Sequence, residues 1–254
     1  MHRVAAIIPA RFHATRFPGK PLALLRGKPL IQHVYEQAVK AGRVDSVFVA
    51  TDDERIYDTV SRFGGRAVMT STVHESGTDR IAEAAARIDC EYVINVQGDE
   101  PFIEPEMIDD VVDLLYNDDR AEMGTLAKRI TGTDELLSPH VVKVVFDEEG
   151  FALYFSRAPI PFHRDDWKDL QGVAFKEGRT AVFKHIGIYG FRKEALSRFS
   201  SLKKGRLEDV EKLEQLRALN AGMKIKVKET TYDTFGIDTV EDLRKAEEWQ
   251  NISL

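Results

Sequence analysis

A loop rich in basic side chains follows the first apolar run of the sequence. The run V-A-A-I-I at 4–8 leads directly into P-A-R-F-H-A-T-R-F-P-G-K-P-L, in which Arg11, Arg16 and Lys20 are accompanied by no acid. Guanidinium, ammonium and backbone N–H groups held in one loop suit the oxygens of several phosphates. The loop therefore predicts a phosphate site, and the alternative is a solvated basic loop made rigid by its prolines.

Gln97 and Asp99 lie directly after another apolar run, Y-V-I-N-V at 92–96. Mg²⁺ binds carboxylate oxygens and keeps its other positions for water and phosphate, so one or two aspartates beside a triphosphate are enough. Asp238, in F-G-I-D-T before the last predicted helix, is the second candidate ligand. A turn residue at Asp99 and a helix cap at Asp238 are the alternatives. Their combination with the basic loop favours the metal site.

Three further segments carry polar side chains that suit a nucleotide or a sugar. In H-E-S-G-T-D-R at 74–80, Ser76 and Gly77 can present backbone groups at a helix start, and Arg80 adds a planar donor. The segments K-H-I-G-I-Y and L-E-Q-L-R supply four more polar side chains from otherwise apolar elements: His185, Tyr189, Glu214 and Gln215. A capped helix, a core histidine and a solvated helix face are the alternatives.

The elements that must position these residues alternate between strands and helices. Apolar runs rich in Val and Ile are separated by segments with apolar residues at three- and four-residue spacing, such as 29–39 and 104–116. This predicts an α/β fold of the Rossmann-like type, with a mostly parallel sheet and helices on both faces. Ligands of such sheets bind beyond the carboxyl ends of the strands, where the basic loop and Asp99 would lie.

The second half of the chain has a different pattern. V-V-K-V-V-F-D-E-E-G-F-A-L-Y-F predicts a β-hairpin, and 157–184 is interpreted as a long loop. A smaller β-rich subregion is therefore expected there. We predict one domain over 1–254, made of an α/β half at about 1–140, the β-rich subregion at about 141–235 and a closing helix at 236–254.

Composition excludes several classes of protein. The chain has 254 residues, is 43% hydrophobic and has a net charge of −6, which argues against a nucleic-acid partner. It contains no apolar run long enough to span a membrane and no signal peptide, so a cytoplasmic location is expected. The single cysteine, Cys90, is interpreted as a core residue. Neither a Walker A loop nor a G-x-G-x-x-G segment follows any strand, which disfavours kinases, GTPases and dehydrogenases.

Eight motifs in order along the chain resemble one family, the 3-deoxy-manno-octulosonate cytidylyltransferases (CMP-Kdo synthetases). They run from residue 7 to residue 243 and read I-I-P-A-R-x-x-x-T-R-x-P-G-K-P-L, V-A-T-D-D, S-G-T-D-R, N-V-Q-G-D-E-P, A-L-Y-F-S-R, K-H-I-G-I-Y-G-F, L-E-Q-L-R and I-D-T-x-E-D-L. The resemblance implies transfer of CMP from CTP to 3-deoxy-D-manno-octulosonate (Kdo), with release of pyrophosphate. It also implies a Mg²⁺ requirement, a homodimer and a role in lipopolysaccharide synthesis. By the same resemblance, about 1–140 would be the nucleotide-binding half and about 141–235 the sugar-binding and dimerisation subregion.

The resemblance also implies a role for each matching residue. Arg11, Lys20, Asp99 and Asp238 would be catalytic, and Asp99 with Asp238 would hold Mg²⁺. CTP would be bound by Ala10, Arg11, Lys20, Ser76, Gly77, Arg80 and Gln97. The sugar acid would be bound by Gln97, Arg157, His185, Tyr189, Glu214 and Gln215, with Arg157 suited to its carboxylate.

Some questions stay open from the sequence. Many relatives have Ser or another small polar residue where this loop has Ala14, so Thr15 or His13 would have to replace a phosphate contact. The segment G-R-L-E-D-V-E-K-L-E-Q-L-R also resembles the branch of the family that uses 8-amino-3,8-dideoxy-manno-octulosonate. A transferase for another acidic sugar, such as a sialic acid, and a non-catalytic nucleotide-sugar binding protein are the remaining alternatives.

Overall fold

The computed structural model describes residues 3–13, 16–165, 167 and 181–249. Its strands are β1 (Val4–Ala10), β2 (Leu24–Leu25), β3 (Lys28–Pro29), β4 (Ser46–Thr51), β5 (Ala67–Met69), β6 (Tyr92–Asn95), β7 (Met123–Arg129), β8 (Lys143–Phe146), β9 (Ala152–Ser156), β10 (Phe183–Arg192) and β11 (Ile225–Glu229). Its α-helices are α1 (Leu30–Lys40), α2 (Glu54–Arg62), α3 (Gly77–Ala86), α4 (Pro105–Asn117), α5 (Thr133–Leu137), α6 (Lys193–Ser201), α7 (Arg206–Glu211), α8 (Gln215–Asn220) and α9 (Val240–Trp249).

One mixed sheet dominates the described part of the chain, with strand order β11-β7-β10-β6-β1-β4-β5 and the β8–β9 hairpin attached to β10. The ladders β1–β4, β1–β6, β4–β5 and β7–β11 are parallel, whereas β10 is antiparallel to β6, β7 and β8. All strands of this sheet except β9 and β10 thus point the same way. The predicted mostly parallel sheet is confirmed.

Helices cover both faces of the sheet, as the spacing of apolar residues predicts. On one face, Ile31 of α1 and Val111 of α4 join a core with Ile94 of β6. On the other, Ile81 of α3 and Leu196 of α6 pack in a second core. Each such fully buried aliphatic side chain contributes roughly 1.5–3 kcal/mol to folding. The two cores fix the sheet between two helical layers.

The second half contains the predicted hairpin. β8 and β9 are joined at Asp147–Gly150, where the Asp147 carboxylate accepts a 2.7 Å hydrogen bond from the Phe151 N–H and Gly150 has a φ of 82°. The predicted loop at 157–184 falls largely outside the described residues, and β10 begins two residues before His185. Cys90 is buried, so its interpretation as a core residue is confirmed.

The helical segment before β11 is divided into two parts. The segment from Arg206 to Asn220 forms two short helices, α7 and α8, because Lys212 takes a left-handed conformation with a φ of 53°. Gly222, with a φ of 74°, follows the second helix and ends it in the left-handed conformation that glycine favours. Within the described ranges, no helix combines the length and apolar character that crossing a membrane requires.

Candidate active site

A cleft of about 360 Å³ opens beyond the carboxyl ends of β1 and β6. All the residues predicted from the sequence to bind nucleotide or metal line this one cleft: Ala10, Arg11, Lys20, Ser76, Gly77, Arg80, Gln97, Asp99 and Asp238. They come from segments up to 228 positions apart in the chain. Parallel strands bring them together because their carboxyl ends share one edge of the sheet.

The basic loop is folded back on itself by Gly19. Gly19 has a φ of 73°, and its N–H donates a 2.8 Å hydrogen bond to the carbonyl of Phe12. A Cβ at Gly19 would lie 3.2 Å from the Phe12 ring, whose face also carries the guanidinium of Arg55 at 3.3 Å from the ring centroid. This turn places Lys20 in the cleft. Ala14 and Thr15, the loop positions at which the sequence predicts a changed phosphate contact, lie outside the described residues.

Lys20 lies between the two predicted metal ligands. Its Nζ is 2.7 Å from Oδ2 of Asp99 and 3.2 Å from Oδ1 of Asp238. The N–H of Ile237 donates a 2.8 Å hydrogen bond to the carbonyl of Asp99, which ties the two acidic segments together. Ile237 is itself buried in a small core with Leu25 and Leu30. The two carboxylates are therefore held by the backbone within reach of a single cation.

This arrangement fits a magnesium ion bound together with a nucleotide. Two carboxylates that contact the same ammonium can also contact one small cation. In the part of the chain that the structure describes, no group of three or more His, Cys, Asp or Glu side chains is arranged around a metal site. An ion here would take its remaining ligands from phosphate and water, which is the usual coordination of Mg²⁺ beside a nucleotide.

The start of α3 also borders the cleft. The Ser76 hydroxyl caps this helix by accepting a hydrogen bond from the N–H of Asp79. A Cβ at Gly77 would lie 3.3 Å from the Pro9 ring, and one at Gly98 would lie 2.8 Å from the Pro9 carbonyl. Glycine at these positions lets α3 and the turn after β6 close against the end of β1. The cleft has a charged end at Lys20, whose side chain is 15% exposed, and a more enclosed end at Arg80, whose side chain is 4% exposed.

Four of the predicted sugar-binding residues come from strand β10 and from the start of α8. His185 and Tyr189 lie on β10 with their rings 5.2 Å apart, and Nε2 of His185 is 3.0 Å from the hydroxyl of Thr125. Glu214 precedes α8 and accepts a 2.5 Å hydrogen bond from the hydroxyl of Thr78, one residue beyond Gly77 of the cleft. Gln215 is buried beside Glu214 at the start of α8. Glu214 therefore connects this group to the cleft.

Burial decides the charge states within this group. It lowers the pKa of the His185 imidazole to about 3, so the ring is neutral at physiological pH. Burial, followed by the charge of Glu214, raises the pKa of Tyr189 well above its ordinary value. The Tyr189 hydroxyl is buried and has no hydrogen-bond partner among the described residues. A neutral imidazole and a neutral phenol are suited to hydroxyl groups rather than to charges.

Arg157 is placed differently from the other predicted sugar residues. Its guanidinium donates to three backbone carbonyls, those of Glu211 at 2.7 Å, Pro139 at 2.8 Å and Lys212 at 3.5 Å. The carboxylate of Glu211 accepts from the Arg157 N–H and from the hydroxyl of Ser156. In this structure Arg157 therefore links the end of β9 to the corner between α7 and α8.

Arg16, which the sequence places in the basic loop, lines the cleft and donates a 3.0 Å hydrogen bond to Asp238. The structure also places in the cleft two residues to which sequence reasoning gave no role, Phe17 and His74. Glu100 is buried behind Asp99, and burial, followed by the charge of Asp99, raises its pKa to about 8. The two adjacent acids at 99–100 were the only sign of Glu100 in the sequence. Their adjacency does not show which of the two carboxyl groups is buried.

His185 is expected not to titrate between pH 8 and pH 5, because its pKa in the folded protein is about 3. The unfolded chain takes up this proton near pH 6.5. The contribution of neutral His185 to the free energy of unfolding is therefore complete above about pH 6.5. It is lost as the pH falls toward about 3, the pKa of His185 in the folded protein. NMR of the imidazole carbons in the wild type and in His185→Gln identifies the His185 signal. A His185 signal that shifts near pH 6.5 would contradict its burial in a neutral form.

Comparison with known proteins gives one consistent result. A family model described as cytidylyltransferase matches residues 5–225. A 3-deoxy-manno-octulosonate cytidylyltransferase from Geobacter metallireducens is 54% identical over 97% of both chains. One from Geotalea uraniireducens is 54% identical over 96% of this chain and 97% of its own. These relatives match over nearly their whole length.

Solved structures agree with these matches. The structure of CMP:2-keto-3-deoxy-manno-octonic acid synthetase complexed with CTP superposes with a TM-score of 0.90, at 40% identity, over 99% of this chain and 100% of that one. A 4-diphosphocytidyl-2C-methyl-D-erythritol synthase from Anaerococcus prevotii superposes with a TM-score of 0.62 at 16% identity, over 98% of this chain and 99% of that one. The second likeness concerns the fold alone.

Proposed function

The chain belongs to the 3-deoxy-manno-octulosonate cytidylyltransferase family, and from this we propose that it transfers CMP from CTP to Kdo, giving CMP-Kdo and pyrophosphate. The observation that carries the proposal is the cleft in which Lys20 lies between Asp99 and Asp238, with Arg11 and Arg16 alongside. Cations and paired carboxylates at one strand-end cleft suit a nucleoside triphosphate bound with a divalent metal.

The two ends of the cleft suit the two ends of CTP. Arg11 and Lys20 would bind the phosphates, since a guanidinium and an ammonium offset their charge. Ser76, Gly77 and Arg80 would border the nucleoside at the enclosed end, with Ala10 and Gln97 between the two. The triphosphate would then extend past Pro9 toward Asp99.

Asp99 and Asp238 would hold magnesium. When bound, this ion lowers the pKa of the attacking sugar hydroxyl and offsets charge on the phosphates. Lys20 then stabilises the negative charge that builds up on the phosphates as pyrophosphate leaves. The anomeric hydroxyl of Kdo attacks the α-phosphorus, so no side chain has to act as a nucleophile. Catalysis by this chain consists of positioning and charge stabilisation.

His185, Tyr189, Glu214, Gln215 and Gln97 would bind the sugar. Their neutral and polar groups suit the hydroxyls of Kdo, and Arg157 is the proposed partner of its carboxylate. Because the Arg157 guanidinium contacts three backbone carbonyls, this role requires its remaining N–H groups or a change of side-chain conformation.

Tyr189→Phe is expected to raise the KM for Kdo by up to about tenfold, because one hydrogen bond to the sugar is worth ~0.5–1.5 kcal/mol. The KM for CTP and the melting temperature should change little, since the hydroxyl has no partner among the described residues. Steady-state kinetics and thermal unfolding measure both effects.

Tyr35→Phe is the matched control. The Tyr35 hydroxyl donates to the carbonyl of Val47 and accepts from the N–H of Arg66, so its loss should lower stability and leave both KM values unchanged. If Tyr189→Phe is destabilised but binds Kdo normally, Tyr189 is not part of the sugar site.

The proposed reaction is tested by pyrophosphate release from purified protein with magnesium and CTP. Kdo, 8-amino-3,8-dideoxy-manno-octulosonate and a sialic acid are compared, with ATP, GTP and UTP as nucleotide controls. Release with CTP and Kdo supports the proposal, and release with the amino sugar alone would change the substrate but not the reaction. If no pair of nucleotide and sugar releases pyrophosphate, the proposed reaction is wrong.

The remaining features inherited from the family are part of the same proposal. The first 140 residues would bind the nucleotide, 141–235 would bind the sugar and form a homodimer, and 236–254 would close the domain. Leu153 of β9 and Leu207 and Val210 of α7 are exposed apolar side chains on adjoining elements, which supports a protein contact there. A cytoplasmic location and a role for CMP-Kdo in lipopolysaccharide synthesis complete the proposal.

A further inference from the structure

Arg80 lies at the enclosed end of the cleft, and it is one of the few buried cations of the described chain. Its side chain is only 4% exposed, yet it lines the cleft. A guanidinium removed from water in this way is costly unless it is paired and hydrogen bonded. The conformation of Arg80 is therefore determined by the groups that pair with its charge and accept its hydrogen bonds.

Two strand ends provide these groups. Nη2 of Arg80 donates to Oδ2 of Asp52 at 2.8 Å, and Nη1 donates to the hydroxyl of Thr70 at 2.6 Å. Asp52 directly follows β4, Thr70 directly follows β5, and the N–H of Thr70 donates to the carbonyl of Thr51 at 2.8 Å. The parallel β4–β5 pair thus holds one edge of the guanidinium in a fixed position.

The other edge of the guanidinium remains available to a ligand. Within the residues that the structure describes, Nε of Arg80 donates to no protein acceptor, while the side chain borders the cleft. Pairing with Asp52 also neutralises Arg80, so this end of the cleft has little net charge. Such a site suits a neutral base, whereas the phosphates suit the charged end at Arg11 and Lys20.

We propose that Asp52, assisted by Thr70, is a positioning residue that aims the free N–H edge of Arg80 at the cytosine ring of CTP. Cytosine presents two adjacent acceptors, O2 and N3, whereas uracil presents an N–H donor at N3. A guanidinium only donates, so a fixed guanidinium accepts cytosine and rejects uracil. This inference rests on the proposed function, since it takes the ligand of the cleft to be CTP.

Asp52→Ala is expected to raise the KM for CTP at least tenfold and to lower the preference for CTP over UTP at least tenfold. The kcat at saturating CTP should stay within about threefold and the KM for Kdo should not change, because the phosphate and sugar contacts remain. Asp52→Asn keeps an acceptor oxygen for Nη2 and should retain more of the preference than Asp52→Ala. Steady-state kinetics with both nucleotides measures these changes.

Asp53→Ala is the matched control. Asp53 is the neighbouring acid, and it caps α2 and pairs with Arg55 without contacting Arg80. Its loss should lower the melting temperature while the CTP preference stays unchanged. If Asp52→Ala also lowers the melting temperature and leaves the CTP preference unchanged, the Asp52–Arg80 pair only stabilises the fold and the positioning role is wrong.

Equilibrium binding separates this inference from the proposed reaction. A wild-type protein that binds CTP more tightly than UTP but releases no pyrophosphate would refute the proposed reaction. The ratio of the two dissociation constants in Asp52→Ala would then still decide the role of Asp52, with an unchanged ratio overturning it. If the wild type binds CTP and UTP equally, the inference is also overturned. Circular dichroism of each variant confirms that it is folded.

Discussion

Asp99→Asn is expected to lower kcat with CTP and Kdo by about 10³-fold or more, because the charge stabilisation supplied at such a metal site amounts to several kcal/mol. The substitution replaces one carboxylate oxygen by an amide nitrogen, which binds no cation. Asp99 is one of only two carboxylates that contact Lys20 in the described chain, so few other protein ligands can compensate for its loss.

The fold should survive this substitution. The Asp99 carbonyl, which accepts from the N–H of Ile237, is unchanged, and the side chain is about one-third exposed. Thermal unfolding should therefore give a melting temperature close to that of the wild type. Asp119→Asn, at a fully exposed carboxylate paired with Arg192, is the control that should leave kcat intact. A normal rate for Asp99→Asn in limiting magnesium would show that Asp99 is not a metal ligand.

Lys20→Met is expected to lower kcat/KM for CTP by about 10²–10³-fold, because a charged donor to the phosphates is lost in a partly enclosed site. A second effect follows from the position of the ammonium between Asp99 and Asp238. Without it, Asp99 loses its ammonium partner and Asp238 keeps only the exposed Arg16, so the nucleotide-free protein should bind Mn²⁺ more tightly than the wild type does. Kinetics and a Mn²⁺ titration followed by electron paramagnetic resonance measure the two effects.

Methionine keeps the apolar part of the Lys20 side chain, which is 15% exposed, so the variant should fold. Lys28→Met removes a surface ammonium that pairs with Glu36 and should change neither CTP use nor Mn²⁺ binding. A Lys20→Met protein that unfolds would show that the lysine serves the loop structure. One that folds and uses CTP normally would exclude it from the phosphate site.

Much of the fold follows from local patterns in the sequence. The Val- and Ile-rich runs at 4–8, 47–51 and 92–96 become β1, β4 and β6, and the segments between them become helices on both faces. These predictions hold because a parallel sheet buried on both faces needs continuous apolar strands, and its helices need an apolar stripe. The antiparallel position of β10 between β6 and β7 is not local, because it depends on where the chain returns after the hairpin.

The contents of the cleft also follow from the sequence. Residues after β1 and β6 had to meet, because the carboxyl ends of parallel strands share an edge, and Arg11 and Asp99 do line one cleft. Asp238 joins them through long-range packing of Ile237 in the core with Leu25 and Leu30. The sequence indicated the segment that contains Asp238 through the order of the family motifs and not through the spacing of residues.

The sequence by itself determined the α/β class, the family and the set of polar residues at the strand ends. The tertiary structure decided their partners: Lys20 between two carboxylates, Arg80 against Asp52 and Thr70, Arg157 on backbone carbonyls and Glu100 buried behind Asp99. Periodicity and motifs report which residues face the core or a strand end, because those depend on near neighbours. Ion pairs and burial depend on residues far apart in the chain, so only the folded arrangement sets them.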